Sequence, residues 1–424
     1  MLPGLFGLTM NRLQIPDEFL PPNYQDGSIA NIPATIAALL GTRLHGLSPL
    51  PEALWQPLGD DINRVVSIIV DGWGWNLLNK ERPFLQPLLD QATVVGQITS
   101  IFPSTTVAAL SSLWTGVAPA QHGLVGLNMF FPEYGTIGQM LSLAPDIGYF
   151  PDALVDAGLE PGTFLHWPGL AQQLADTGTP THRFKGKQIV DSALSKMHGR
   201  GVSGNHGVVS IADMLVQMRR LLESTAGEPL FAACYWPTVD TLSHDHGWND
   251  EIVAAELRAI VTQLQMEFLD RLSAPARHGT ALLIIADHGQ VVTPAADAIY
   301  LEDHPQLQEM LFMKPAGEPR VNYLYTKHGQ QDAVVDYINE QLGQALIAWP
   351  AADVLNAGLL GPQPFASKTA DRLGDVIVVS RGGHALLHTR AEDGERAMRW
   401  NGRHGGMTEA EMKVPWLGFR LAAI

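Results

Sequence analysis

Short uninterrupted apolar runs recur along the chain, and four are dense in Val, Ile and Leu: Val65 to Val70, Leu230 to Tyr235, Ala281 to Ala286, and Asp375 to Ser380. A strand covered on both faces needs no polar alternation, so these runs predict buried strands of a mainly parallel sheet. Between them, apolar positions repeat at helical spacing over Val107 to Trp114, Ile211 to Glu223, Glu251 to Leu272 and Gln331 to Leu342. Strands that alternate with helices predict an α/β sandwich, with helices on both faces of the sheet.

The pattern changes between Pro294 and Gly374, where a strand-like VNYLYT at Val321 to Thr326 precedes the helix from Gln331 and a turn-rich stretch. This predicts a smaller α+β subdomain over residues 294–374. It would be inserted into a core formed by residues 1–293 and 375–424.

Three apolar runs end in an aspartate: SIIVDGWGW at Asp71, YWPTVDTLSH at Asp240 and LLIIADHGQ at Asp287. Open α/β sheets bind ligands beyond the carboxyl ends of their strands. One aspartate there is an ordinary turn or cap residue. Three, each delivered by a separate strand, would converge on one crevice.

Composition narrows the chemistry of that crevice. The 46% hydrophobic and 17% charged content is that of a globular chain with a sizeable core, and the formal charge is −16. Such a field, with no Lys/Arg block to offset it, excludes duplex nucleic acid and anionic membranes as expected partners. A small anionic substrate would then need bound cations as its local positive source. Cys234 is the single cysteine, so any metal ligands must be Asp, Glu and His. No basic residue precedes the short apolar stretch of MLPGLFGLTMNR and no run reaches membrane-spanning length, so the expected location is cytoplasmic.

Asp240 and His244 are four apart, which puts both on one face of a helical turn. Asp287 and His288 are adjacent before Gly289, and His404 lies in GRHGG. Asp71, Asp240, His244, Asp287, His288 and His404 together could hold two divalent ions with three protein ligands each. Mixed oxygen and nitrogen donors suit Zn²⁺ best, with Mn²⁺ or Fe as alternatives. Two cations in one crevice are the apparatus of in-line phosphoryl displacement.

IFPSTTVAALSSLWTG supplies hydroxyls at the start of a helix near Val107, where free N–H groups and a partial positive charge would hold a phosphate. Ser104, Thr105 and Thr106 all qualify as a nucleophile on these grounds, and all qualify equally as helix caps.

In order, VDG at Asp71, FPSTT at Phe102 to Thr106, TGVAPAQHGLVG, D-x-x-x-H at Asp240, ADHG at Asp287 and HGG at His404 resemble the type I phosphodiesterase/nucleotide pyrophosphatase family of the alkaline phosphatase superfamily. The resemblance runs from about Val65 to Leu417. It implies an alkaline-phosphatase-like three-layer sandwich with a mostly parallel central sheet, and a hydrolase that cleaves phosphodiester or pyrophosphate bonds through a phosphothreonine. Thr106, the last residue of FPSTT, is then the nucleophile. The resemblance further implies that Asp240, His244 and His404 hold one zinc, that Asp71, Asp287 and His288 hold the other together with Thr106, and that Asn128 contacts a phosphate oxygen. The family's usual Lys before the nucleophile is Thr105 in this chain, and the usual Pro-Asn after it is Ala108-Ala109.

No Lys or Arg occurs from Gln97 to Asn128. Two dications, three aspartates and a threonine alkoxide sum to a neutral site, which suits a singly charged diester better than a monoester. The alternatives are a phosphonate hydrolase that splits a carbon–phosphorus bond, resembling phosphonoacetate hydrolase, and a metal-binding relative without turnover.

Overall fold

The computed structural model describes residues 13–146, 150–390 and 400–421. Its central sheet has seven strands in the order Val94–Thr99, Lys413–Leu421, Thr280–Ile285, Arg64–Val70, Leu230–Trp236, Thr181–Gly186 and Val202–Val208. All run parallel except Lys413–Leu421, which is antiparallel to both neighbours. Arg64–Val70 lies in the middle and is buried along its whole length, which is why its sequence shows no alternation.

Helices cover both faces. Ile69 and Ile285 share a small cleft with Ile36 and Trp114, from the helices Ile32–Leu39 and Thr106–Thr115. Ile68, Val70 and Ile284 point the opposite way, toward Leu215 and Ile260 of Ile211–Ser224 and Glu251–Gln263. Successive residues thus face different helical layers, as the two-residue repeat of a strand requires. The helix expected over Glu251 to Leu272 is α-helical only to Gln263 and continues as a π-helical turn, Leu264–Leu269.

A second seven-stranded sheet is antiparallel throughout. Its order is Leu346–Pro350, Val376–Ser380, Val321–Leu324, Ala316–Glu318, Asn128–Phe131, Thr136–Gln139 and Ala144–Pro145. One expectation changes here. Val376–Ser380 belongs to this sheet and not to the parallel one. Ile377 and Val379 pack into one apolar cluster while Val376 and Val378 pack into another, so both faces are covered and the run is as uniformly apolar as a central parallel strand. Three of the seven strands come from residues 294–374. The strands at 128–145 are two to four residues long and interrupted by turns, too short to register as a pattern.

Phe102 and Val107, which flank the Ser/Thr cluster, are buried in the same apolar cluster as Met129, Tyr323, Ile377, Met407 and Met412. The second sheet therefore fixes the segment that carries the hydroxyls. No helix among the described residues is long and apolar enough to cross a membrane.

Candidate two-metal centre

Asp71, Asp240 and Asp287 leave three adjacent strands of the central sheet at their carboxyl ends: Arg64–Val70, Leu230–Trp236 and Thr280–Ile285. Asp240 lies in the first turn of the helix Thr238–His246, and His244 follows one turn later with its Nε2 3.4 Å from Asp240 Oδ2. His288 sits beside Asp287, with its Nε2 3.4 Å from Asp71 Oδ1 and 3.5 Å from Asp287 Oδ2. His404 comes from the loop after Gly402–Arg403, its ring stacked on His288 at 3.8 Å and its Nε2 3.7 Å from Asp240 Oδ1. The ligand atoms of Asp240, His244 and His404 lie within 4.8 Å of one another, as do those of Asp71, Asp240 and His288. Residues spread over more than three hundred positions meet in one cluster.

Each imidazole is anchored in the same way. Nδ1 of His244 donates to Gly402 O at 2.8 Å, Nδ1 of His288 to Gly289 O at 3.1 Å, and Nδ1 of His404 to Ser104 O at 3.0 Å. A neutral ring so anchored presents a lone pair on Nε2, here toward carboxylate oxygens. Lone pairs facing carboxylates repel unless a proton or a cation lies between them. Burial pushes His288 down to about 4 and His404 down to about 3, against the opposing pull of Asp240, so a proton is disfavoured at both rings. His244 is raised, because Asp240 outweighs its burial.

The carboxylates carry the complementary signal. Burial and the neighbouring Asp287 and Asp240 raise Asp71 well above the usual range, and burial lifts Asp287 to about 6. Burial also works to raise Asp240, but His244 and His404 outweigh it and hold that carboxyl low. Asp71 Oδ1 and Asp287 Oδ2 are buried without a hydrogen-bond partner. Crowded buried carboxylates with orphaned oxygens, beside two imidazoles from which burial drives the proton, are a donor set that fits divalent cations.

The three hydroxyls of the Ser/Thr cluster separate. Ser104 Oγ donates to Gly406 O at 2.8 Å, and Thr105 lies beside the buried carboxylate of Glu318 and holds it down against the rise that burial causes. Thr106, the first residue of the helix Thr106–Thr115, puts Oγ1 3.1 Å from His288 Nε2. It also opens onto a cleft of about 290 Å³, which Thr105 lines too, together with Val107, Leu127, Gln139, Leu141, Thr241, Trp400 and the Asp240, His244, His404 trio. That volume suits a small molecule. No Lys or Arg is among the described residues that line it.

Asn128 is not brought to this cleft. Its Nδ2 donates to Gly317 O at 3.1 Å, and it lines an adjoining cleft with Glu318, Asn322, Trp400 and Arg403. Leu127, one position earlier, lines both clefts.

Other contributors escaped sequence reasoning. Tyr235 donates its hydroxyl to Asp71 Oδ2, and Gln290 donates to Asp240. Tyr235 lay inside an apolar run and read as core. Gln290 follows Asp287-His288-Gly289 directly, a position that could have drawn notice. Ser100 Oγ donates to Asp287 O at 2.5 Å and ties the hydroxyl-bearing loop to the metal-facing one.

The family model described as type I phosphodiesterase / nucleotide pyrophosphatase matches residues 65–407. Solved structures share the fold at low identity. Murine ectonucleotide pyrophosphatase / phosphodiesterase 5 superposes with a TM-score of 0.60 at 19% identity, covering 84% of this chain and 87% of that one. It is also known as an inactive threonine-to-alanine variant in complex with AMP. Phosphonoacetate hydrolase from Sinorhizobium meliloti, in complex with phosphonoacetate, gives a TM-score of 0.60 at 17% identity over 83% of this chain and 89% of that one.

Proposed function

The chain belongs to the type I phosphodiesterase/nucleotide pyrophosphatase family, and on that premise we propose a two-metal hydrolase that cleaves phosphodiester or pyrophosphate bonds through a phosphothreonine at Thr106. The observation that carries the reading is the separation of the three hydroxyls. Ser104 is committed to Gly406 and Thr105 sits beside Glu318, whereas Thr106 Oγ1 lies 3.1 Å from His288 Nε2 at a helix N-terminus.

Asp240, His244 and His404 would hold one ion, and Asp71, Asp287 and His288 the other beside Thr106. Two divalent ions, read as Zn²⁺ from the mixed donors with Mn²⁺ or Fe as alternatives, would supply when bound the positive charge that steadies the attacking and departing oxygens.

Thr106 Oγ1 attacks phosphorus in line, and the bond to the leaving oxygen breaks as the new P–O bond forms. Backbone N–H groups at the start of the Thr106–Thr115 helix hold the equatorial oxygens. Water then hydrolyses the phosphothreonine and restores the hydroxyl. The leaving group departs along the wall of Leu127, Leu141 and Trp400. Three aspartates and an alkoxide balance two dications, so a cleft whose described lining holds no Lys or Arg supports a singly charged diester over a monoester.

The test is Thr106→Ala assayed on bis-p-nitrophenyl phosphate, p-nitrophenyl thymidine phosphate and phosphonoacetate. Turnover should fall at least about a thousandfold with metal content unchanged, matching loss of the attacking group. Acid-quenched wild-type protein should carry a phosphate on the peptide that contains Thr106. Full activity in the variant would sink the reading, and turnover of phosphonoacetate alone would move the chain to carbon–phosphorus cleavage.

A further inference from the structure

The three carboxylates of the cluster share a feature that metal ligation alone does not require. One oxygen of each is held by a neutral donor. For Asp287 the donors are backbone, with Gly72 N–H at 3.2 Å and His288 N–H at 3.0 Å, both on Oδ1. For the other two they are side chains. The Tyr235 hydroxyl donates to Asp71 Oδ2, and Gln290 Nε2 donates to Asp240 Oδ1 and, at 3.1 Å, to the Asp240 carbonyl.

We propose that Tyr235 and Gln290 are positioning residues, each setting the affinity for a different one of the two ions. The inference rests on the two-metal reading above.

Tyr235 is 7% exposed on the strand next to that of Asp71, paired in register with Ile69. Its hydroxyl pins Oδ2 and turns Oδ1, which has no partner of its own, toward His288 Nε2. The Lys185 side-chain nitrogen lies 5.7 Å over the Tyr235 ring. Gln290 is 2% exposed, and both groups that its amide meets are acceptors, so its orientation is fixed with nitrogen toward Asp240. Asp240 Oδ2 is thereby aimed at His244.

Neutral donors suit this task better than charged ones. An Arg or Lys on the same oxygens would neutralise the carboxylate and compete with the cation, whereas an O–H or amide N–H fixes geometry and leaves the charge for the ion. Without the pin, three crowded carboxylates would rotate apart.

The experiment is a competition titration of Zn²⁺ against a chromophoric chelator on the full chain, for the parent and for Tyr235→Phe and Gln290→Met. Each variant should bind one equivalent about 10–100-fold more weakly and keep the other at parental affinity. Combining Tyr235→Phe with Asp71→Asn should cost no more than Asp71→Asn alone, whereas combining it with Asp240→Asn should weaken both equivalents. Turnover of either single variant should recover at saturating zinc. Unchanged affinities in both variants overturn the proposal and leave the Thr106 reading standing. Equal weakening of both equivalents, or a lower melting temperature in chelator with affinities intact, also overturns it by marking a general structural role. A parent chain that binds no ion removes the two-metal reading itself, and this inference with it.

Discussion

Arg320 and Glu411 face each other in complete burial, with guanidinium Nε and Nη2 each 2.9 Å from a carboxylate oxygen. The pair joins the second sheet to the His404 loop, because Glu411 also accepts from Gly406 N–H at 2.9 Å and from Thr408. Burial pushes the Glu411 carboxyl up, but Arg320 outweighs it and holds the group charged. Arg320→Met leaves that charge unpaired and should remove about 3–5 kcal/mol. Urea unfolding in chelator measures the loss. Arg320→Met/Glu411→Leu should be more stable than Arg320→Met alone, and the pairing argument fails if it is not.

Gly72 follows Asp71 with φ +72°, and a Cβ there would sit 2.8 Å from Asp240 Cα. Gly72→Ala combines left-handed strain of about 1–2 kcal/mol with a backbone collision between two carboxylate carriers. The expected outcome is a stability loss together with weakened binding of both ions. Zinc stoichiometry by mass spectrometry of the native protein reads it, and two tightly held ions would contradict the packing.

Removing metal at pH 7 should lower the melting temperature, and adding zinc back should restore it. Ligand present at about a hundred times its dissociation constant contributes roughly 2.7 kcal/mol per site. Protons compete for the same oxygens: Asp71 is raised and Asp287 sits at about 6, so zinc affinity should decline as pH falls through that range. Calorimetry at pH 7.5 and 5.5 compares the two, and equal affinities would refute the competition.

His122 accepts Leu124 N–H on Nδ1 at 3.1 Å and hydrogen-bonds Ser112 Oγ through Nε2 at 3.1 Å. Burial drives its pKa down to about 3. Between 3 and 6.5 the unfolded chain binds the proton that the folded one refuses, so this contribution to stability is lost as pH falls through the window. At pH 5 the loss is about 2 kcal/mol. His122→Asn should flatten the parent's decline between pH 7 and pH 5 by that amount in denaturant titrations.

Strand-end aspartates were legible because a fully buried strand advertises itself as an apolar run, and the residue that breaks the run marks its carboxyl end. The i, i+4 spacing of Asp240 and His244 was legible for the same local reason. Non-local facts were not. That Asn128 lines the neighbouring cleft depends on the placement of a four-residue strand that no pattern announces. Val376–Ser380 looked like the parallel strands because burial on both faces erases the difference between sheets. The choice among Ser104, Thr105 and Thr106 needed Gly406 and Glu318, partners two to three hundred residues away.

Lys413–Leu421 lies between Val94–Thr99 and Thr280–Ile285, and among the described residues Val94–Thr99 has no other strand beside it in the sheet, only a single bridge from Thr99 to Ser28. During synthesis, the segment leading to Thr106 therefore emerges from the ribosome long before the strand that will secure it. The nascent chain carries an unzipped edge until Leu421 has been made, and a stalled or prematurely released product would expose that edge to aggregation.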